Sequence, residues 1–214
     1  MKLNRWQQGA NGFLFKNLPI MFFVLFIFIA GVVFGALAIR TLDYIGKKEL
    51  VDYLSTFFNG LAGKFNDEYQ VNLWDSIWLN IKTIIIMWLL GLSLIGMPLI
   101  PGLVFLRGFV IGFTVGFLVH ELSFKGMLFA LVSILPQNLI IVPATILAGV
   151  IAIFFSITIL KSLITKRPIN FGHYLISYSV FMILIGGMMV VASLIEAFIT
   201  PVFMELAVRL LIKN

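Results

Sequence analysis

The chain has 214 residues, 61% hydrophobic and 11% charged, with a net charge of +6 and no cysteine. A soluble domain carries roughly 45–50% apolar and about 25% charged residues, so a soluble globular fold is excluded. The missing thiols exclude disulfides, thiolate metal sites and cysteine nucleophiles together.

The apolar residues are blocked into long runs with no alternation, which rules out a β-barrel and leaves an all-α, polytopic membrane helix bundle. The first run, Leu18 to Ile39, follows Lys2, Arg5 and Lys16 and ends in the A-x-A-like Ala36-Leu37-Ala38. A signal peptide has an apolar core of about 7–15 residues. This run is longer, so it reads as an uncleaved first helix over about 18–40. The polar segment 41–79 follows. Within it, KKELVDYLSTFFNGL places Leu50, Leu54, Phe57, Phe58 and Leu61 on one helical face. That face either rests on the bilayer or docks an extracellular partner. Trp74 and Trp78 read as aromatic-belt anchors ahead of a second span at about 80–100. GMPLIPG ends that span, and a third follows at about 103–120.

The stretch from Lys125 to Leu160 decides the topology. As one straight helix it would measure about 54 Å at 1.5 Å per residue, against a hydrocarbon core of about 30 Å. SILPQNLIIVPA, Ser133 to Ala144, stands at its centre. Proline removes a backbone donor and disfavours helix in the preceding residue, so the expected break is at Pro136. Residues 125–135 then form a re-entrant half-helix, and the segment beyond crosses once. With a last span at about 173–199 this gives about five transmembrane helices plus one re-entrant or broken half-helix. The alternative, a turn at Pro-Gln-Asn between two short spans, gives six crossings. Charge counting favours five: the basic N-terminus, the link beside Arg107 and the loop with Lys161, Lys166 and Arg167 all fall on the cytoplasmic side. The acidic segment 41–79 is then extracytoplasmic, and residues 1–214 form a single integral membrane domain. TPVFMELAVRLLIKN reads as an interfacial tail helix capped by Thr200.

Gly31 and Gly35, and Gly108, Gly112 and Gly116, recur every fourth residue and open grooves for close backbone approach. The grooves serve packing inside the bundle or association with another copy or protein. Arg107 and Lys82 lie near span ends, where snorkelling to the headgroups is expected. Glu196 is expected near the outer end of the last span, level with His120, Glu121 and Lys125, and no acidic or histidine residue is expected at mid-depth. Pro136, Gln137, Asn138 and Pro143 have two readings. Either they line a binding site in a broken helix, as in a small transporter or lipid-handling protein, or the carboxamides satisfy backbone groups that the break frees. His120 and His173 fall on opposite faces, and hydrolase or metalloprotease motifs are missing. No catalytic role, metal, cofactor or nucleic-acid partner is therefore expected. The expected partners begin with membrane lipids.

FLRGFVIGFTVGFLV followed by SILPQNLIIVPA resembles the stage II sporulation protein M family, as do WLLGLSLIGMPLI and the long polar loop after the first span. The resemblance covers nearly the whole chain, and Gly108, Gly112, Gly116, Pro136, Gln137, Asn138 and Pro143 carry its specific part. It implies a non-enzymatic protein of the bacterial cell membrane with a cytoplasmic N-terminus. It also implies placement in the mother-cell engulfing membrane, where stage II sporulation proteins D and P, which degrade cell wall, are its partners.

Overall fold

The computed structural model describes residues 17–43, 46–52, 73–93, 95–165, 170–200 and 202–203. Helix α1 is Leu18–Ala38, with Pro19 in its first turn and a 3-10 turn, Ile39–Thr41, at its end. Helix α2 is Leu73–Leu92. The helical stretch Leu99–Thr165 is two helices joined across a kink at Ser123, written below as α3 (99–122) and α4 (124–165). Helix α5, Phe171–Leu194, starts on Asn170, whose side chain accepts from the His173 N–H, and runs into a π-helical turn, Ile195–Ile199. Every regular element among the described residues is helical, and four stretches are long and apolar enough to cross a membrane, one of them the α3–α4 pair. The fold is an all-α membrane bundle.

The contacts give each helix its direction. Phe28 meets Gly108, Val32 meets Gly112 and Ala36 meets Gly116, so α1 and α3 run parallel in constant register. Helix α4 folds back along α3: Gly126 packs on the Leu118 backbone and Gly149 on Val104. Helices α2 and α5 are antiparallel, since Asn80 bonds Ser193 at one level and Trp88 bonds Ser179 at another. The order is therefore up, down, up, down, up. A shared core of Val24, Ile84, Met87, Val104, Ala148 and Met182 draws on all five helices. Phe26, Leu139 and Ile183 face outward, as lipid-facing side chains do.

The expected break at Pro136 is absent. Residues 124–165 form one helix with both prolines inside it, and Ser123 (φ 51°, ψ −129°) makes the reversal. Residues 125–135 are not a re-entrant half-helix but the first turns of α4, held against α3 by Leu118, Phe129 and Ala130. Membrane helices tolerate proline where neighbouring helices and side chains re-satisfy the backbone. Beside the prolines, Ser133 donates to the Phe129 carbonyl (2.7 Å), Asn138 to Ile134 (2.8 Å) and Thr145 to Ile141 (2.8 Å), which adds side-chain bonds to the same stretch of helix. The excess length is kept rather than broken. At about 1.5 Å per residue α4 is roughly 60 Å long, and its final turns carry Phe155 onto Tyr178 and Phe171.

The start of α3 also differs from expectation. Proline is compatible with a helix's first turn, so Pro101 and Gly102 sit inside α3 and the link from α2 is only residues 93–98. The helix begins four residues earlier than 103, which moves Arg107 about one turn further from the helix end.

Candidate functional site

Polar side chains are costly in an apolar bundle unless they find one another. Four helices bring theirs to one level: Ser76 and Asn80 from α2, Arg107 from α3, Gln137 from α4, and Ser193, Glu196 and Thr200 from α5 and its π-turn. The level is central. Gly108, next to Arg107, touches Phe28, the midpoint of the 21-residue α1.

Arg107 donates through Nη2 to Asn80 Oδ1 at 2.9 Å, and Asn80 donates through Nδ2 to Ser193 Oγ at 3.0 Å. Ser193 passes its own proton to the Met189 carbonyl at 3.0 Å. Asn80 suits the middle of this chain because one carboxamide accepts from a cation and donates to a hydroxyl simultaneously. On the other side, Gln137 donates through Nε2 to Glu196 Oε1 at 3.4 Å and accepts at Oε1 from Thr200 Oγ1 at 2.7 Å. Ser76 also hydrogen-bonds the Glu196 carboxylate, and the Arg107 charge acts on it. Among the described residues, no ion pair joins Arg107 to Glu196 directly; the one close acid–base contact is His120 Nδ1 to Glu121 Oε1 at 2.9 Å.

Two expectations are corrected here. Arg107 does not snorkel outward but turns into the bundle. Glu196 is not level with His120, Glu121 and Lys125: it meets Gln137, about three turns along α4 from Lys125. The π-turn contributes, since its wider ring re-aims the side chains of an otherwise regular helix. The Thr200 hydroxyl goes to Gln137 and, at 3.4 Å, to the Ile195 carbonyl, while most of the tail it was expected to cap lies outside the described residues. The signal was in the sequence: Asn80, Arg107, Gln137 and Glu196 are polar residues inside apolar runs. Only the register of α3 against α5 was hidden.

The other singled-out residues fall in three places. Gly31, Gly35, Gly108, Gly112 and Gly116 lie along the α1–α3 contact, where an added methyl on Gly31 would strike the Phe105 carbonyl and one on Gly112 the Val32 carbonyl. Pro136 and Pro143 lie within α4. Asn138 bonds its own helix and lines an apolar groove of about 440 Å³ with Ile111, Met127, Leu135 and Pro143. Leu50 is half-buried in a helical piece, 46–52, while Leu54, Phe57, Phe58 and Leu61 lie outside the described residues.

A second cluster closes the opposite end of α2. The Ser156 hydroxyl donates to the Gly91 carbonyl at 2.7 Å, and the Tyr178 hydroxyl reaches the Met87 and Trp88 carbonyls at 3.2 and 3.1 Å. The Gly91 carbonyl is one that a helix end leaves open, and the Tyr178 bonds brace carbonyls one turn earlier, so the task is structural. Among the described residues, no three histidine, cysteine or acidic side chains gather as metal ligands.

Comparison with curated proteins and with solved structures finds no match. A family model described as Stage II sporulation protein M matches residues 24–201. That span contains the glycine contact, the proline-bearing helix and every member of the polar junction, and the chain belongs to the stage II sporulation protein M family.

Proposed function

We propose that the chain is a non-enzymatic membrane scaffold of endospore engulfment, holding the wall-degrading stage II sporulation proteins D and P at the septal membrane. The family match over residues 24–201 is the observation that carries this reading. The helix directions support a matching topology. They group the start of α1, the 93–98 link and the α4–α5 link on one face, and Lys2, Arg5, Lys16, Lys161, Lys166 and Arg167 lie at or beside these segments in sequence. A basic face of this kind is cytoplasmic. Segment 41–72 then lies outside, in the compartment where wall hydrolases act, and offers the Leu50–Leu61 face to them.

The test is affinity purification with crosslinking from sporulating cells. Leu54→Asp and Phe57→Asp are expected to release both hydrolases while the protein still inserts. Unchanged recovery of both would sink the outer-helix version of the scaffold.

A second reading, a small transporter or lipid-handling protein, draws on one observation: the charged junction at the bundle's centre. Its route would pass Gln137 within an intact helix rather than through a break. Flux in liposomes that disappears in Gln137→Ala, with partner recovery unchanged, is its expected signature. A purified wild-type protein with no flux would remove it.

A further inference from the structure

Glu196 is a carboxyl group held inside the bundle by neutral donors, with Arg107, the one opposite charge acting on it among the described residues, beyond contact distance. A carboxylate fixed for structure alone would be expected to take the bidentate pairing that arginine offers. Here the guanidinium spends its one hydrogen bond to a described residue on Asn80. The carboxylate's bond to Gln137 is long, 3.4 Å, whereas the Thr200 bond on the far side of the same carboxamide is short, 2.7 Å. Glu196 is also only half-buried in the bundle.

We propose that Glu196, Gln137 and Thr200 form a proton-binding switch. In the arrangement described, the carboxylate is ionised: Gln137 Nε2–H donates to it, and Gln137 Oε1 accepts the Thr200 hydroxyl. When Glu196 Oε1 takes up a proton that originates in solvent, the new O–H is a donor and can no longer face another donor. The Gln137 carboxamide makes a half-turn. Its Oε1 then accepts from the Glu196 O–H, its Nε2–H donates to Thr200 Oγ1, and the Thr200 proton moves wholly to the Ile195 carbonyl. No covalent bond changes except the O–H made from solvent. The Ile195 carbonyl belongs to the π-turn, and in the ionised state it holds the Thr200 hydroxyl only at 3.4 Å. Protonation therefore tightens that turn, which links the occupancy of one carboxyl to the geometry of α5's end.

Among the described residues, the charged and titratable surroundings are few. Arg107 faces the group from α3. From α2 the facing residues are Ser76 and Asn80, both neutral, while Asp75 and Lys82 point to the exterior. From α4 only the neutral Gln137 faces it, with Lys125 and Lys161 near the two ends of that helix. On α5 itself, His173 and Tyr178 lie towards the opposite end.

The switch goes beyond the scaffold reading and does not depend on it. Infrared difference spectra of the full chain in lipid nanodiscs, acidic minus alkaline, test it. The expected result is a protonated-carboxyl band that is lost in Glu196→Gln and kept in Glu121→Gln. In Gln137→Leu, which keeps the carboxyl but removes its exchanging partner, the band's midpoint is expected to shift by one pH unit or more. That variant decides the matter if Glu196→Gln fails to fold. A wild-type spectrum with no band assignable to Glu196, or a midpoint unmoved in Gln137→Leu, overturns the proposal. So does a band that responds to exchange of sodium for potassium at fixed pH, which would make the site one for a metal cation.

Discussion

Arg107 on α3 reaches Asn80 on α2 at 2.9 Å, and the same carboxamide continues to Ser193 on α5 at 3.0 Å. One side chain thus joins three helices through a cation and a hydroxyl. Asn80→Leu keeps the branched shape, removes both bonds and leaves Arg107 without its acceptor. Interhelical hydrogen bonds in bilayers average about 0.6 kcal/mol and reach about 1.7, and bonds to a charged group run higher, at about 1.5–3 kcal/mol. A loss of about 1–3 kcal/mol is expected in a detergent unfolding titration. Thr83→Ala, whose hydroxyl serves only the Leu79 carbonyl of its own helix, should stay within about 0.5 kcal/mol.

The glycines divide into crowded and open ones. An added methyl on Gly112 meets the Val32 backbone, while one on Gly186 or Gly187 meets nothing within 4 Å. Gly112→Ala is expected to cost about 1–3 kcal/mol by overpacking. Gly187→Ala should gain roughly 0.5–1 kcal/mol from helix preference alone. Thermal melts in one detergent compare the two directly, and equal effects would contradict the α1–α3 contact.

The register of α1 on α3 has a covalent test. A Cβ at Gly116 lies 3.4 Å from the Ala36 Cβ and 2.9 Å from its Cα, so a small separation of the helices brings the pair into the ~3.5–4.5 Å range of disulfides. The chain contributes no competing thiol. The double variant Ala36→Cys, Gly116→Cys is expected to crosslink within one chain on mild oxidation, read as a mobility shift on a reducing-sensitive gel. Ala36→Cys with Gly102→Cys, at the opposite end of α3, should not.

Ser123 carries the reversal between α3 and α4 in a left-handed conformation that only glycine adopts freely. Such a conformation costs on the order of 1–3 kcal/mol in another residue. Ser123→Gly should therefore stabilise the fold by about 1 kcal/mol, and Ser123→Val should destabilise it by a comparable amount. Unfolding midpoints of the two variants on either side of wild type are the expected pattern.

The class of fold was legible from the sequence because block hydrophobicity reports directly on what a bilayer demands of a backbone. The helix ends were less legible, for a reason SILPQNLIIVPA illustrates. In water, proline inside a helix loses a bond with no replacement nearby. Within the bundle, α4 is packed against neighbouring helices on both sides of its prolines, and the two persist in it without a break. The polar junction was half legible. Each member stood out in its own span, but their meeting depends on the register of α3 and α4 against α5. Relative depth of this kind is set by packing between helices that are distant in sequence, and local pattern carries no record of it.

The parallel pairing of α1 with α3 also bears on how the protein is made. Parallel neighbours cannot be consecutive spans, so α1 enters the bilayer before its partner surface exists. About eighty residues separate Phe28 from Gly108, which at roughly 5–20 residues per second is several seconds of translation. During that interval the groove at Gly31 and Gly35 is open to lipid, to a chaperone of the insertion machinery, or to another nascent chain. The fold therefore contains a waiting period for its first helix.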